Sequence, residues 1–285
     1  MAAAAPPTVD FHQHLWPPHL VEALRKRAAP PRIRGDLLQL PSGEWPAEVA
    51  AHDLETRVRT LDDDGIDLAV ISCPPTLELD EELTEAYHDG ILETVASADG
   101  RLVALASGSV RDGFVGTCVP ASALSDLDTL SPVLDALQER GQPLFVHPGA
   151  HPVPDGCPPW WPSVVSYTSQ MQAAYATWLV HGAAAWPRLR VVFAMLAGGA
   201  PIQIERLASR GVSTRTILHE SIYLETSSYA SRALDLAFAT YGVGQIVYGS
   251  DRPVVDSSAT LRSVREFGQA LSDAVCRDNP ARILT

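Results

Sequence analysis

The sequence predicts a single parallel (β/α)8 barrel of the TIM type, and three observations carry that expectation. Eight short apolar runs rich in β-branched and aromatic residues recur along the chain, the segments between them have helical periodicity, and the length fits. Strand followed by helix, eight times over 285 residues, matches an architecture that takes about 250 residues plus insertions. The rival is a doubly wound open sheet. It calls for a glycine-rich phosphate turn after the first strand, and this chain places HxH there.

The first strand is "TVDFHQH" (8–14), stopped by Pro17-Pro18, which cannot extend a sheet ladder. Alternation along it puts Asp10, His12 and His14 on one side and Val9, Phe11 and Gln13 on the other. A long connection, 15–46, leads to helical periodicity over 47–64, with Leu54, Val58 and Leu61 on one stripe. The second strand is "DLAVISCP" (67–74), followed by a helix over 80–98. "RLVALASGSV" (101–110) and "FVGTCVPA" (114–121) are the third and fourth strands, with a helix over 131–140. "PLFVHPG" (143–149) is the fifth, after which the long stretch 150–167 precedes a helix over 168–185. "LRVVFAMLAG" (189–198), "SIYLETSS" (221–228) and "QIVYGSD" (245–251) complete the set, followed by helices over 201–210, 230–241 and 257–276. In a barrel both long connections leave the carboxyl ends of strands, the face where sites are built, and they read as lids or binding walls.

Composition narrows the function. With 46% hydrophobic residues the chain can bury a large core as one domain, 1–285, with the first seven residues flexible. No apolar stretch approaches the length of a membrane span, and "MAAAAPPT" has neither the basic nor the long apolar region of a secretory leader, so a cytoplasmic location is expected. Cys73, Cys118, Cys157 and Cys276 are scattered without a CxxC pair and read as reduced thiols. A net charge of −13 without basic clusters argues against nucleic acid and anionic membranes, leaving a small molecule as the partner.

Four polar residues fall at strand ends on the site-bearing face: His12 and His14 on strand one, His147 on strand five, Asp251 on strand eight. A lone strand-end histidine is ordinarily a structural hydrogen-bonding group, and an aspartate before a turn is ordinarily turn chemistry. Their conjunction points elsewhere. Strand eight of a barrel closes against strand one and strand five faces both across the mouth, so three imidazoles and a carboxylate can converge on one point. Such a donor set suits a divalent ion, zinc first and manganese second, with a coordination position left for water.

The motifs "VDFHQH", "FVHPG", "FAMLAGGAPIQIERL", "IYLETSS" and "VYGSDRP", closed by "NPARIL" (279–284), resemble the amidohydrolase superfamily in order along nearly the whole chain. The resemblance is to its amidohydrolase-2 group, which includes aminocarboxymuconate-semialdehyde decarboxylase, aromatic-acid decarboxylases, and lactone and amide hydrolases. It implies a metal held by His12, His14, His147 and Asp251, with Asp251 as the proton shuttle, and a homodimer. One departure matters. The group commonly carries a histidine at the end of strand six, in a segment like "AHLGG", where this chain has Met195. A thioether takes no proton and is a poor ligand for such ions. Hydrolysis by activated water does not need that imidazole, whereas decarboxylases of the group look more dependent on it.

The expectation is therefore a metal-dependent hydrolase of an amide, lactone or related carbonyl bond, with His147 and Asp251 at the reacting centre. The alternatives are a nonoxidative decarboxylase of an aromatic or unsaturated acid and a catalytically silent ligand-binding barrel. Around the centre, Trp16, Trp160 and Trp161 are candidates for a substrate wall, and Arg252 for a fork onto a substrate carboxylate. Met195 faces the substrate, and His151, four residues past His147, is a candidate replacement imidazole. Each has a plainer reading: loop packing for the tryptophans, a surface ion pair for Arg252, solvent for His151. Glu225 follows strand seven, and parity does not fix its direction. His19, His52, His88, His181 and His219 receive no role.

Overall fold

Strand β1 (Val9–His14) starts the cylinder, and all six of its residues are buried. The computed structural model describes residues 5–213 and 217–285. After β1 comes a small antiparallel sheet of β2 (Arg32–Arg34), β3 (Leu37–Leu40) and β4 (Gly43–Pro46). The cylinder continues through β5 (Leu68–Ser72), β6 (Leu102–Ala104), β7 (Ala106–Ser107), β8 (Thr117–Pro120), β9 (Leu144–His147), β10 (Val191–Phe193), β11 (Ile222–Glu225) and β12 (Ile246–Val247). β6 and β7 are one stave interrupted at Leu105, whose N–H still bonds Ile71 O at 2.8 Å. Neighbouring staves pair in parallel from β1 through β12. The circle closes through Phe11 N–H to Tyr248 O, Asp251 N–H to His12 O and His14 N–H to Arg252 O, at 2.9, 2.8 and 2.7 Å. Among the described residues the barrel thus has the eight staves expected, each within its predicted segment.

Phe11, Phe145, Phe193, Ile71 and Tyr248 are fully buried, and Phe11 meets Phe145 edge to face at 6.2 Å. Burial on both sides of each stave is why the runs read as nearly continuous apolar stretches.

Two segments depart from the sequence reading. The connection 15–46 is structured, holding helix Pro18–Lys26 as well as the β2–β4 sheet. Pro18 cannot extend a sheet ladder, but proline also suits the first turn of a helix, where its missing N–H costs nothing. The sixth strand is shorter than "LRVVFAMLAG". After Phe193 the chain enters a left-handed turn through Met195, Leu196, Ala197, Gly198 and Gly199, with φ of 55°, 47°, 51°, 67° and 83°. Three of these are not glycine, and each costs about 1–2 kcal/mol in that region. Gly198 is needed there for space as well, since a Cβ on it would lie 2.4 Å from Thr168 O on helix Tyr167–Thr177.

Candidate metal centre

The four strand-end residues meet. One ligand atom from each of His12, His14, His147 and Asp251 lies within 4.8 Å of the others. His12 Nε2 is 3.2 Å from His14 Nε2, and Asp251 Oδ1 is 3.1 Å from His14 Nε2 and 3.5 Å from His12 Nε2. The His147 ring stands nearly perpendicular to those of His12 and His14, 5.0 and 5.1 Å away. Asp251 has φ of 59°, which aspartate tolerates better than most residues, and its N–H is tied to His12 O.

Each imidazole is fixed through its other nitrogen. His14 Nδ1 donates to Ser72 O at 3.0 Å, His147 Nδ1 to Pro148 O at 2.8 Å, and His12 Nδ1 to Glu225 Oε2 at 2.9 Å. A proton held at Nδ1 leaves the Nε2 lone pair for a ligand bond, the arrangement that orients histidines around metals. Glu225 is fully buried and also accepts from the Ser227 N–H, the Ser227 hydroxyl at 2.8 Å and the Met195 N–H at 3.2 Å. The left-handed turn therefore aims a backbone donor at this carboxylate. Gly249 makes room for it, since a Cβ there would stand 2.1 Å from Glu225 Oε1 and 2.6 Å from His12 Cβ. Asp10 and Gln13, which strict alternation puts on opposite sides of β1, meet at 2.6 Å because the ladder shifts register between them, and Asp10 also accepts from the Ser250 N–H and the His12 N–H at 2.9 and 3.1 Å.

The electrostatics fit a cation. Burial opposes charge on His12, but Glu225 and Asp251 outweigh it and lift its pKa to about 8. His14 and His147 are held below the ordinary imidazole range, chiefly by burial. Burial also works against ionised Asp251, yet the surrounding imidazoles prevail and keep its pKa below the usual carboxylate value. Two neutral imidazoles, a carboxylate and a position that favours positive charge form a donor set suited to a divalent ion.

The cluster forms the floor of a cavity of about 520 Å3. Its walls come from the β2–β4 sheet (Leu38, Leu40, Trp45), from the connection after β9 (His151, Trp160, Ser163) and from Trp16, His52, Tyr167 and Met195. Of the residues the sequence offers around the centre, Trp16, Trp160, Met195 and His151 line the cavity, with His151 exposed at the rim. Two do not. Arg252 lies outside the cavity lining and pairs with Asp64 at 2.8 Å. Trp161 stacks on Trp160 at 6.0 Å, and it is Trp160 that reaches the cavity.

His52 was passed over yet stacks on Trp16 at 4.1 Å and accepts its backbone N–H at 3.1 Å. Its only sequence signal is a histidine inside the stretch of helical periodicity over 47–64. Glu225, Trp45 and Tyr167 were also missed as site residues. The glutamate at a strand end in "YLETSS" was visible, but its partner lies 213 residues away in sequence.

A closed parallel barrel with three imidazoles and a carboxylate on the rim at its strands' carboxyl ends defines a metal-type barrel enzyme. A family model described as amidohydrolase matches residues 9–285, and the chain belongs to that family. Solved structures share the fold at low identity. The IDCase of Metarhizium anisopliae in apo form has a TM-score of 0.80 and 21% identity over 100% of this chain and 98% of that one. The 5-carboxyvanillate decarboxylase LigW of Sphingomonas paucimobilis has a TM-score of 0.76 and 16% identity over 98% of this chain and 99% of its own. A dihydroxybenzoic acid decarboxylase of Polaromonas, with bound manganese and 2-nitroresorcinol, has a TM-score of 0.71 and 16% identity over 98% and 97%. No curated protein matches the chain. No helix among the described residues is long and apolar enough to cross a membrane.

Proposed function

We propose that the chain is a metal-dependent carboxy-lyase that releases CO2 from a small aromatic or unsaturated acid. The observation that carries this reading is the cavity itself. The four-donor cluster sits beneath aromatic and aliphatic walls whose lining, among the described residues, includes no lysine or arginine. The lining also carries the Glu48 carboxylate, so a bound acid finds its counter-charge only at the cluster, with its apolar part against Leu38, Leu40, Trp45 and Trp160. Loss of CO2 moves charge from a strongly hydrated carboxylate onto carbon, and such surroundings favour it. The structural neighbours named as decarboxylases, aligned over nearly their full lengths, support the same reading.

His12, His14, His147 and Asp251 would hold the ion, zinc or manganese, which supplies a Lewis acid for the substrate's oxygens. Asp251 is partly open to the cavity and passes the proton. As the bond to the carboxyl carbon breaks, the electron pair left on that carbon takes a proton that solvent delivers by way of Asp251, whose carboxylate is ionised at rest. Glu225 fixes the His12 ring throughout, and Trp16, Trp45 and Trp160 offer apolar faces to the substrate.

Hydrolysis is the second reading, and Met195 favours it. Hydrolysis asks for one proton carrier, which Asp251 supplies by taking a proton from water and returning it to the leaving group.

The test is metal analysis followed by product analysis. Protein carrying about one ion per chain is offered hydroxybenzoic acids, lactones and amides, with CO2 and acid release both followed. CO2 release that falls by about 10²–10⁴-fold in Asp251→Asn supports the carboxy-lyase. Acid release from a lactone or amide without CO2 refutes it and selects hydrolysis.

A further inference from the structure

Tyr167 lines the cavity above the metal centre. It opens helix Tyr167–Thr177 and shares the cavity wall with Met195, His147 and Asp251. Two glutamines tie that helix to its neighbours. Gln170 accepts from the Gly149 N–H at 2.8 Å and donates to the Gly149 carbonyl at 3.3 Å, tying the helix to the chain two residues past His147. Gln172 donates to the Gly198 carbonyl at 2.7 Å, tying it to the left-handed turn that begins at Met195. The phenol is thus positioned by the two elements that carry His147 and Met195.

Its hydroxyl is free. Tyr175 and Tyr241 bond each other at 2.7 Å, and Tyr87 donates to Leu105 O at 3.3 Å. The Tyr167 hydroxyl has no protein partner among the described residues, and the side chain is half-buried against the cavity. Burial, reinforced by Asp251 and Glu78, raises its pKa above the ordinary phenol value, so it keeps its proton at neutral pH. A protonated, rigidly based hydroxyl facing a cavity without lysine or arginine is a donor for an anionic ligand.

We propose that Tyr167 is the substrate-orienting donor of this site, its O–H binding an oxygen of the bound acid on the side where Met195 offers no polar group. The acid as ligand rests on the carboxy-lyase reading, and the test separates the two. Wild type and Tyr167→Phe, each reloaded with manganese, are titrated calorimetrically with 2-hydroxybenzoate and 2-nitroresorcinol. The substitution removes one oxygen that no group among the described residues uses, so metal content and melting temperature stay unchanged. The expected result is about 10–100-fold weaker binding by the Phe variant, the range of a hydrogen bond to a charged group. Affinities equal within about twofold overturn the proposal, as does a wild type that binds neither probe. CO2 release is read separately. Weaker binding by the variant with no CO2 from the wild type defeats the carboxy-lyase reading and leaves Tyr167 as the donor.

Discussion

Replacing Glu225 by glutamine tests how the centre is held together. The carboxylate is fully buried and takes four hydrogen bonds, from His12 Nδ1, the Ser227 N–H, the Ser227 hydroxyl and the Met195 N–H. Three of them converge on Oε2 and the Ser227 N–H on Oε1. A glutamine keeps the shape but has only one acceptor atom. With its oxygen in the Oε2 place, its amide N–H faces the Ser227 N–H, and one buried donor is left opposed. That costs about 1–3 kcal/mol, and the remaining bonds lose their charge assistance, so the expected destabilisation is about 2–4 kcal/mol. For 285 residues, an unfolding entropy of about 2.1 cal/mol/K per residue gives roughly 0.6 kcal/mol/K, and the melting temperature should fall by about 3–7 °C. Without its carboxylate partner His12 is a poorer ligand, and metal affinity should fall about 10–100-fold. Calorimetric melting and competition with a chelator measure the two effects. A variant within about 1 °C and twofold of the wild type would show that Glu225 does not hold His12.

Gly249→Ala should displace the same carboxylate sterically, since the added Cβ meets Glu225 Oε1 at 2.1 Å; metal content at equal free metal should drop below that of Glu225→Gln, and retention of a full ion would contradict the packing. His52 is buried and neutral, its pKa pulled down to about 3, chiefly by burial and then by Arg57. Its unfolded value is about 6.5, so the unfolded chain binds the extra proton. Stability is complete above that value and is lost as pH falls from about 6.5 toward 3, by about 1.4 kcal/mol per unit and about 2 kcal/mol by pH 5. The difference between wild type and His52→Gln in urea unfolding should shrink by that amount over this range, and a pH-independent difference would refute it. Cys73, Cys118 and Cys276 are buried while Cys157 is half-exposed, so a thiol reagent should titrate one cysteine in the native protein and four after denaturation.

The barrel was legible because its signals are local. Eight apolar runs and the periodic stripes between them, such as Leu54, Val58 and Leu61, need no knowledge of distant partners. The strand-end positions of His12, His14, His147 and Asp251 could likewise be read, since parallel barrel order places strands one and eight side by side. Helix Pro18–Lys26 was missed because a proline pair stops a strand and starts a helix equally well. What only the tertiary structure decided depends on direction. Residue order could not say that Glu225 turns inward to His12, that Arg252 turns outward to Asp64, or that Trp160 rather than Trp161 reaches the cavity. These outcomes are set by contacts between residues far apart in the chain, such as His12 with Glu225 and Asp64 with Arg252. Backbone direction in irregular segments follows from packing against remote elements, which periodicity in sequence does not encode.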